Sequence, residues 1–371
     1  MRYIDEFRHV GLAQGLAQAI AREVQAGRSY RFMEFCGGHT HAISRHGIAD
    51  LLPQSVRMIH GPGCPVCVLP IGRVDQAIAL AQQAGVLLCS YGDCLRVPAT
   101  AGATLQKAKA GGADVRMVHS SLDALALAQR HPERQVVFLA IGFETTTPPT
   151  AVAIQQAAAL GLKNFSVLCC HVLTPPAMAA ILDSPAPDAP PLDGLVGPAH
   201  VSVVNGSRPY EALAARYRKP LVIAGFEPLD LLQAIRMLVA QVNQGRSAVE
   251  NEFSRAVSRD GNRKAQQCMA EVFELRESFE WRGLGVLPAS ALRIRARYAE
   301  FDAEQRFGLP YRSVPDHKGC DCAAILRGAK QPPDCRLFAR VCTPEHALGA
   351  CMVSPEGACA AHYRYARRSH D

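Results

Sequence analysis

The chain alternates short apolar runs with amphipathic stretches from residue 30 to residue 224, a pattern typical of βαβ units and parallel sheets. Eight of these runs predict strands, in two sets of four. The first set covers 31–36, 56–60, 86–91 and 114–119, and the second covers 135–141, 165–170, 193–197 and 220–224. Because the count repeats, we expect an α/β fold with two similar parallel-sheet lobes, over 29–120 and 121–228, with a cleft between them.

The segments outside these lobes have a helical pattern. Apolar residues recur every fourth position from Leu12 to Val24, and long amphipathic helices are predicted over 229–243 and 246–278. We therefore expect 1–28 and 229–371 to form a mostly helical domain that ends in a cysteine-rich tail. A proline-rich run from Ser184 to Leu192 is expected to be a spacer.

Composition excludes several classes of function. The formal net charge is +7, but the basic residues are scattered apart from a short terminal cluster at Arg364, Arg367 and Arg368, so no nucleic-acid partner is expected. The N-terminus is charged where a signal peptide needs an apolar core, and no window reaches the length of a membrane span. We expect a cytoplasmic protein, in which 14 cysteines favour metal or redox chemistry over structural disulfides.

Two cysteine motifs follow predicted strands at glycine-rich turns. They are Cys-Gly-Gly-His-Thr-His at 36–41 and Gly-Pro-Gly-Cys-Pro-Val-Cys at 61–67. The carboxyl ends of parallel strands are where such sheets carry their chemistry, and glycine permits a tight turn and close approach to a ligand. Pro65 fits the first turn of a helix, so Cys64 and Cys67 would have depressed pKa values and either bind a metal or form a disulfide.

The C-terminal tail holds six further cysteines, namely Cys320, Cys322, Cys335, Cys342, Cys351 and Cys359. The four at 320, 335, 342 and 359 are separated by 14, 6 and 16 residues. A cage of soft thiolates on a loop-like segment selects an iron–sulfur cluster or zinc. The spacing is too irregular for a zinc ribbon and lacks the tight repeats of bacterial ferredoxins.

Together with Gly-Phe-Glu-Thr-Thr at 142–146 and the run Gly-Ala-Cys-Met-Val-Ser-Pro-Glu-Gly-Ala-Cys that ends at 359, these motifs resemble the HypD family of hydrogenase maturation proteins. The resemblance covers nearly the whole chain. It implies a scaffold on which the Fe(CN)2CO group of nickel–iron hydrogenases is assembled. It also implies a hetero-complex of one copy with a small partner, HypC, and with HypE, which delivers cyanide from a thiocyanate-type adduct.

The resemblance also implies roles for individual cysteines. The iron would be held by Cys36, Cys64 and Cys67, with the partner's N-terminal cysteine as a further ligand. A [4Fe-4S] cluster would be held by Cys320, Cys335, Cys342 and Cys359. Cys322 and Cys351 are then left as a redox dithiol, in an arrangement similar to that of ferredoxin–thioredoxin reductase.

Three other residues are candidates because cyanide transfer from sulfur needs electrons and protons. A cluster with thiol pairs would supply the electrons. His39 and His41, beside Cys36, would donate protons or hydrogen-bond to bound cyanide, and Glu144 would orient one of them across the cleft.

Other interpretations of the same residues remain open. A thiol–disulfide oxidoreductase, whose cluster reduces the Cys64–Cys67 pair, predicts that Cys36 is dispensable and that no iron is bound beyond the cluster. An iron–sulfur hydro-lyase would need a cluster with only three cysteine ligands. His39 and His41 also suit a turn or a core, and Glu144 suits a segment that only caps a helix.

Overall fold

The computed structural model describes residues 4–183 and 191–365. The helices are α1 (Val10–Glu23), α2 (Gly37–Arg45), α3 (Ile48–Leu51), α4 (Pro65–Val68), α5 (Ile71–Ala81), α6 (Leu105–Ala110), α7 (Ser121–Arg130), α8 (Thr147–Ala159), α9 (Thr174–Asp183), α10 (Ala199–Asn205), α11 (Arg208–Tyr217), α12 (Pro228–Asn243), α13 (Arg263–Val272), α14 (Ala303–Arg306), α15 (Cys322–Leu326) and α16 (Ala358–Tyr365). The strands are β1 (Tyr30–Glu34), β2 (Val56–His60), β3 (Val86–Ser90), β4 (Val115–Met117), β5 (Gln135–Gly142), β6 (Phe165–His171), β7 (Gly194–Pro198), β8 (Leu221–Ala224), β9 (Val249–Asn251), β10 (Phe273–Leu275), β11 (Ser278–Trp281), β12 (Gly285–Pro288) and β13 (Leu292–Ile294). Within the described residues, no helix has both the length and the apolar character needed to cross a membrane. Most of the predicted spacer 184–192, with Arg367 and Arg368, lies outside the described residues.

Two parallel sheets form the centre of the molecule, so the predicted α/β fold is confirmed. One sheet has five strands in the order β2-β1-β7-β8-β9, and the other has four in the order β4-β3-β5-β6. All eight predicted strands are present, and none of their ends is shifted by more than two residues. Two short antiparallel pairs, β10 with β13 and β11 with β12, follow in the C-terminal third.

The sheets group the strands differently from the order predicted along the chain. The five-stranded sheet combines β1 and β2 with β7 and β8, and the chain between them builds the four-stranded sheet. The division at residue 120 therefore does not follow the sheets. The reason is that β1 pairs on its second edge with β7, more than 160 residues later, a contact that local sequence patterns do not encode.

The helical part is also corrected. The predicted helix 246–278 is wrong over most of its length, because Val249–Asn251 extends the five-stranded sheet beside β8 and only α13 is helical. α1 and α12 pack together on the five-stranded sheet, where Arg236 Nε donates to Glu23 Oε1 over 2.7 Å. The cysteine-rich tail is largely irregular, with α15 and α16 as short helices.

Each sheet has a point where the strand order reverses, and ligands of open α/β sheets bind there. In the five-stranded sheet it lies between β1 and β7, and in the four-stranded sheet between β3 and β5. The Cys36 loop follows β1, and the loop with Glu144 follows β5. Both motifs therefore stand at these reversal points.

Candidate functional site

The two cysteine motifs lie side by side because they follow neighbouring parallel strands. β1 and β2 pair in register, with Glu34 opposite His60. Beyond the strands, Gly37 N donates to Gly63 O over 2.9 Å, and Gly61 N donates to Glu34 O over 3.0 Å. A Cβ added at Gly63 would collide with the backbone of the Cys36 loop. The loops thus form one clamped unit at the sheet edge.

Cys64 and Cys67 are joined by a disulfide, with their Cα atoms 5.2 Å apart. Cys64 is the N-cap of α4, its sulfur accepts from Cys67 N over 3.2 Å, and Pro65 occupies the first turn as predicted. Both cysteines are buried. In this state the two sulfurs are not thiolates, and two electrons and two protons are needed to release them as thiols.

Cys36 is a buried free thiol directly beside that disulfide turn. Burial raises its pKa to about 12, and the charges of Glu356 and Glu34 add to the rise. The side chain of Glu356 packs against Gly37, where a Cβ would lie 2.5 Å from Glu356 Cβ. Cys36 therefore stays protonated at neutral pH unless a metal or a base takes its proton.

Glu34 is a site residue that the sequence analysis missed. Its carboxylate is fully buried at the end of β1, where Oε2 accepts from Cys36 N over 2.9 Å. Oε1 accepts from the Thr40 hydroxyl and lies 3.1 Å from His60 Nδ1. The sequence feature that could have identified Glu34 is a single carboxylate in an apolar strand. Such a carboxylate is rarely buried without partners.

Glu356 is a second missed residue, since its motif was recognised but no role was given to its side chain. Burial raises the pKa of Glu356, and Asp93 and Glu34 add to the rise. Asp93 follows β3, at the reversal point of the four-stranded sheet. Glu356 therefore lies between the reversal points of the two sheets.

His39 is in the first turn of α2 and is fully buried. Its Nε2 lies 2.8 Å from Ala224 O, which can only accept, so Nε2 carries the hydrogen and Nδ1 has a free lone pair. Nδ1 has no partner among the described residues. Burial lowers the pKa of His39 and so disfavours the protonated ring, which leaves Nδ1 as a hydrogen-bond acceptor.

His41 contacts the C-terminal segment around α16. Its Nδ1 lies 3.4 Å from Pro355 O, and its Nε2 lies 3.5 Å from the hydroxyl of Tyr365 in α16. The ring meets Tyr365 edge to face, with centroids 5.3 Å apart. These contacts join α2 to α16.

Glu144 does not contact either histidine, so its predicted role in orienting one of them is wrong in this structure. The carboxylate accepts from Thr174 N, Thr174 Oγ1 and Asn205 Nδ2, each over 3.0 Å. Burial raises the pKa of Glu144, and these hydrogen bonds oppose the rise. Glu144 thus joins the loop after β5 to α9 and α10.

The tail brings the predicted cluster ligands and the predicted dithiol together. The thiol of Cys322 lies next to the thiols of Cys320, Cys351 and Cys359, and its interaction with Cys320 lowers the pKa of Cys320 to about 7. A Cβ at Gly349 would lie 2.5 Å from Cys320 Sγ and 2.7 Å from Cys322 Sγ. Only glycine allows the chain to pass this close to the sulfurs.

The tail cysteines are continuous with the disulfide turn. Cys64 and Cys67 share one apolar cluster with Cys335, Cys342 and Cys359, and α4 packs against the turn at 350–352. Within 4–183 and 191–365, no three histidine, cysteine or acidic side chains are arranged to hold a metal ion. The residues nevertheless fit an iron–sulfur cluster in donor chemistry, since Cys320 and Cys322 meet beside Gly349 in an apolar cluster that also contains Cys335, Cys342 and Cys359.

Comparison with known proteins shows the family of the chain. The family model HypD, described as the Hydrogenase formation hypA family, matches residues 11–366. Hydrogenase maturation factor HypD of Cupriavidus necator is 65% identical over 370 residues, which cover 99% of this chain and 98% of that protein. Its counterpart in Azotobacter vinelandii is 63% identical over 370 residues, with 99% and 98% covered, and that of Escherichia coli K12 is 45% identical over 376 residues, with 100% of both covered. The chain therefore belongs to the HypD family of hydrogenase maturation factors.

Proposed function

We propose that this maturation factor is a cytoplasmic scaffold for assembly of the Fe(CN)2CO group of [NiFe]-hydrogenase. The iron is the cargo, held by Cys36, Cys64 and Cys67 with a cysteine of a HypC-type partner, and cyanide comes from a HypE-type donor. The observation that carries the proposal is the clamping of two cysteine loops to each other by the Gly37–Gly63 hydrogen bond. Thiolates from adjacent loops suit an iron with carbonyl and cyanide, and incomplete ligation leaves room for these diatomics.

The proposal requires electrons at two steps. Reduction of the Cys64–Cys67 disulfide breaks the S–S bond and forms two thiols. Release of cyanide from an S–CN donor breaks the S–C bond, and the sulfur leaves as a thiol with two electrons gained. A dithiol that becomes a disulfide supplies both electrons, with one proton passing to the leaving sulfur and one to solvent.

Cys322 and Cys351 are the dithiol that we propose, since their buried thiols lie next to each other. A [4Fe-4S] cluster held by Cys320, Cys335, Cys342 and Cys359 supplies one electron at a time when bound. We propose that His39 accepts a hydrogen bond through Nδ1 when the site is filled, because this lone pair is buried without a partner among the described residues. We assign no chemical step to His41 or Glu144.

The test is infrared spectroscopy in the carbonyl and cyanide stretching region, on protein isolated without air together with its HypC-type partner. Iron is counted in wild type, in Cys36→Ala and in Cys268→Ala. Cys268 is a half-buried cysteine remote from the site, with its thiol 3.3 Å from Gln155 Oε1. We expect bands that vanish in Cys36→Ala and persist in Cys268→Ala, with iron beyond the cluster lost only in the former.

One observation favours a second function, a thiol–disulfide oxidoreductase. Cys64 and Cys67 form a disulfide rather than an open thiol pair. This function predicts the opposite result in the same experiment: no carbonyl or cyanide bands, iron at the level of the cluster in all three proteins, and unchanged disulfide turnover in Cys36→Ala.

A further inference from the structure

A buried arginine, Arg282, lies between the disulfide turn and the tail cysteines. Its backbone N–H donates over 2.8 Å to Val68 O, at the end of α4. The next residue, Gly283, packs on α15, where an added Cβ would lie 3.1 Å from Ala323 Cα. α15 begins at Cys322. Arg282 is therefore held on both sides by elements that carry the cysteines.

Only part of the guanidinium of Arg282 has a partner. Nε donates to Asp316 Oδ1 over 2.6 Å, and the side chain is only 4% exposed. Nη1 is buried and has no hydrogen-bond partner among the described residues. A buried, unpaired N–H of a charged group is costly. Because Nη1 is closed off from solvent, water does not satisfy it, and a partner must be a group that is buried beside it.

Sulfur atoms of the tail are the interior groups that suit this donor. The Cys320 N–H donates to His317 O over 2.8 Å, which fixes Cys320 close to Asp316 and hence to Arg282. The pKa of Cys320 is lowered first by the adjacent thiol of Cys322 and also by the charge of Arg282, and that charge acts in the same direction on the pKa of Cys351. Hydrogen bonds and nearby charges are the means by which proteins adjust the potential of sulfur-bound iron.

We propose that Arg282 sets the reduction potential of the tail cysteine centre, with its Nη1–H donating to a sulfur of that centre when the cluster is bound. The inference rests on the proposed function, which places a [4Fe-4S] cluster there. A fixed positive charge stabilises the more negative, reduced state and raises the potential, whereas Asp316 offsets part of that charge and lowers it. Arg282 is a positioning and charge residue, and it undergoes no chemistry itself.

The experiment uses the opposite signs of the two charges. Full-length protein is purified without air, iron and sulfide are counted, and the midpoint potential is measured by redox titration monitored by electron paramagnetic resonance. We expect Arg282→Gln to make the midpoint potential more negative by about 59 mV, which is about a tenfold change in the equilibrium constant of a one-electron reduction. Asp316→Asn shifts it positive, and Arg282→Lys, which keeps the charge, shifts it less than Arg282→Gln.

Arg306→Gln is the matched control, since Arg306 is a half-buried arginine that binds Phe165 O on the four-stranded sheet. We expect the midpoint potential of the Arg306→Gln variant to equal that of wild type. Unchanged potentials, or shifts of the same sign in Arg282→Gln and Asp316→Asn, would overturn the inference and leave the proposed function standing. Wild-type protein that assembles no iron and sulfide would overturn both. If Arg282→Gln loses the cluster, the directions of the shifts in midpoint potential in Asp316→Asn and Arg282→Lys still test the inference.

Discussion

At the scale of single residues, the site depends on buried charges that have specific partners. Glu34 is fully buried, and its carboxylate contacts Cys36 N, the Thr40 hydroxyl and His60 Nδ1. A carboxylate in such a position is tolerated only because donors surround both oxygens. Its three partners come from the Cys36 loop, α2 and β2, so one side chain fixes the geometry of both cysteine loops.

We predict that Glu34→Gln destabilises the protein by about 2–3 kcal/mol, because an amide donor then faces donors and the charge-assisted bonds are lost. Urea unfolding followed by circular dichroism measures this change. Glu250→Gln is the control, since Glu250 forms a partly exposed pair with Arg246 and its loss costs less than about 1 kcal/mol. Equal unfolding midpoints in the two variants would contradict the role of Glu34.

The second prediction concerns the pH dependence of Cys36. Its pKa is raised to about 12 by burial, then by Glu356 and Glu34, whereas an unfolded cysteine titrates near ~8.5. Alkylation of Cys36 by iodoacetamide, measured by peptide mass spectrometry, should therefore stay slow through pH 9. The stability that protonated Cys36 contributes is present below about pH 8.5 and is lost as the pH rises towards 12. Alkylation of urea-unfolded protein is the control. A midpoint pH of alkylation in native protein that is close to the midpoint in unfolded protein would refute the prediction.

At the scale of elements, strand edges and glycine turns place the chemistry. The register of β1 with β2 brings the Cys36 loop to the Cys64 turn, and Gly63 permits their backbones to touch. A side chain at this position would separate the loops, because the atoms that it meets belong to the backbone and cannot rotate away.

We predict that Gly63→Ala lowers stability by about 1–3 kcal/mol and abolishes iron binding beyond the cluster, because the Cys36 loop is displaced. Thermal unfolding and iron analysis of the same preparations measure both effects. Gly15→Ala is the matched control: Gly15 is exposed in α1 with no atom within 4 Å of an added Cβ, so alanine should stabilise the helix by up to ~1 kcal/mol. Retained iron binding in Gly63→Ala would contradict the clamped-loop model.

At the scale of the whole molecule, the C-terminal third is held to the sheets by a buried ionic cluster. Arg73 in α5 donates to Gln76 Oε1 over 2.9 Å and to Glu304 in α14. Glu304 also accepts from Arg276 over 2.8 Å. The Arg73 guanidinium lies over the ring of Tyr311, with 4.6 Å to its centroid. These contacts attach the segment that leads into the cysteine tail.

We predict that Arg73→Ala destabilises the protein by about 3 kcal/mol, because it breaks a buried pair and removes the stacking on Tyr311. The free energy of unfolding in urea measures the change. Limited proteolysis should cut the C-terminal third of this variant first. Arg259→Ala, which removes an exposed pair with Glu211, should cost less than about 1 kcal/mol. Similar losses in both variants would show that Arg73 does not anchor the tail.

The sequence by itself determined the α/β class, the eight core strands and the positions of the cysteine motifs, because hydrophobic period and glycine or proline turns are local properties. It did not predict β9, since three residues in an otherwise polar stretch become a strand only through the edge of β8. Nor did it predict the partners of Glu144, which lie 30 and 61 residues later in the chain, in α9 and α10. Only the tertiary structure decided how strands group into sheets, where Glu34 and Glu356 lie and why Arg282 Nη1 has no partner among the described residues, because pairing and burial are set by contacts between distant residues.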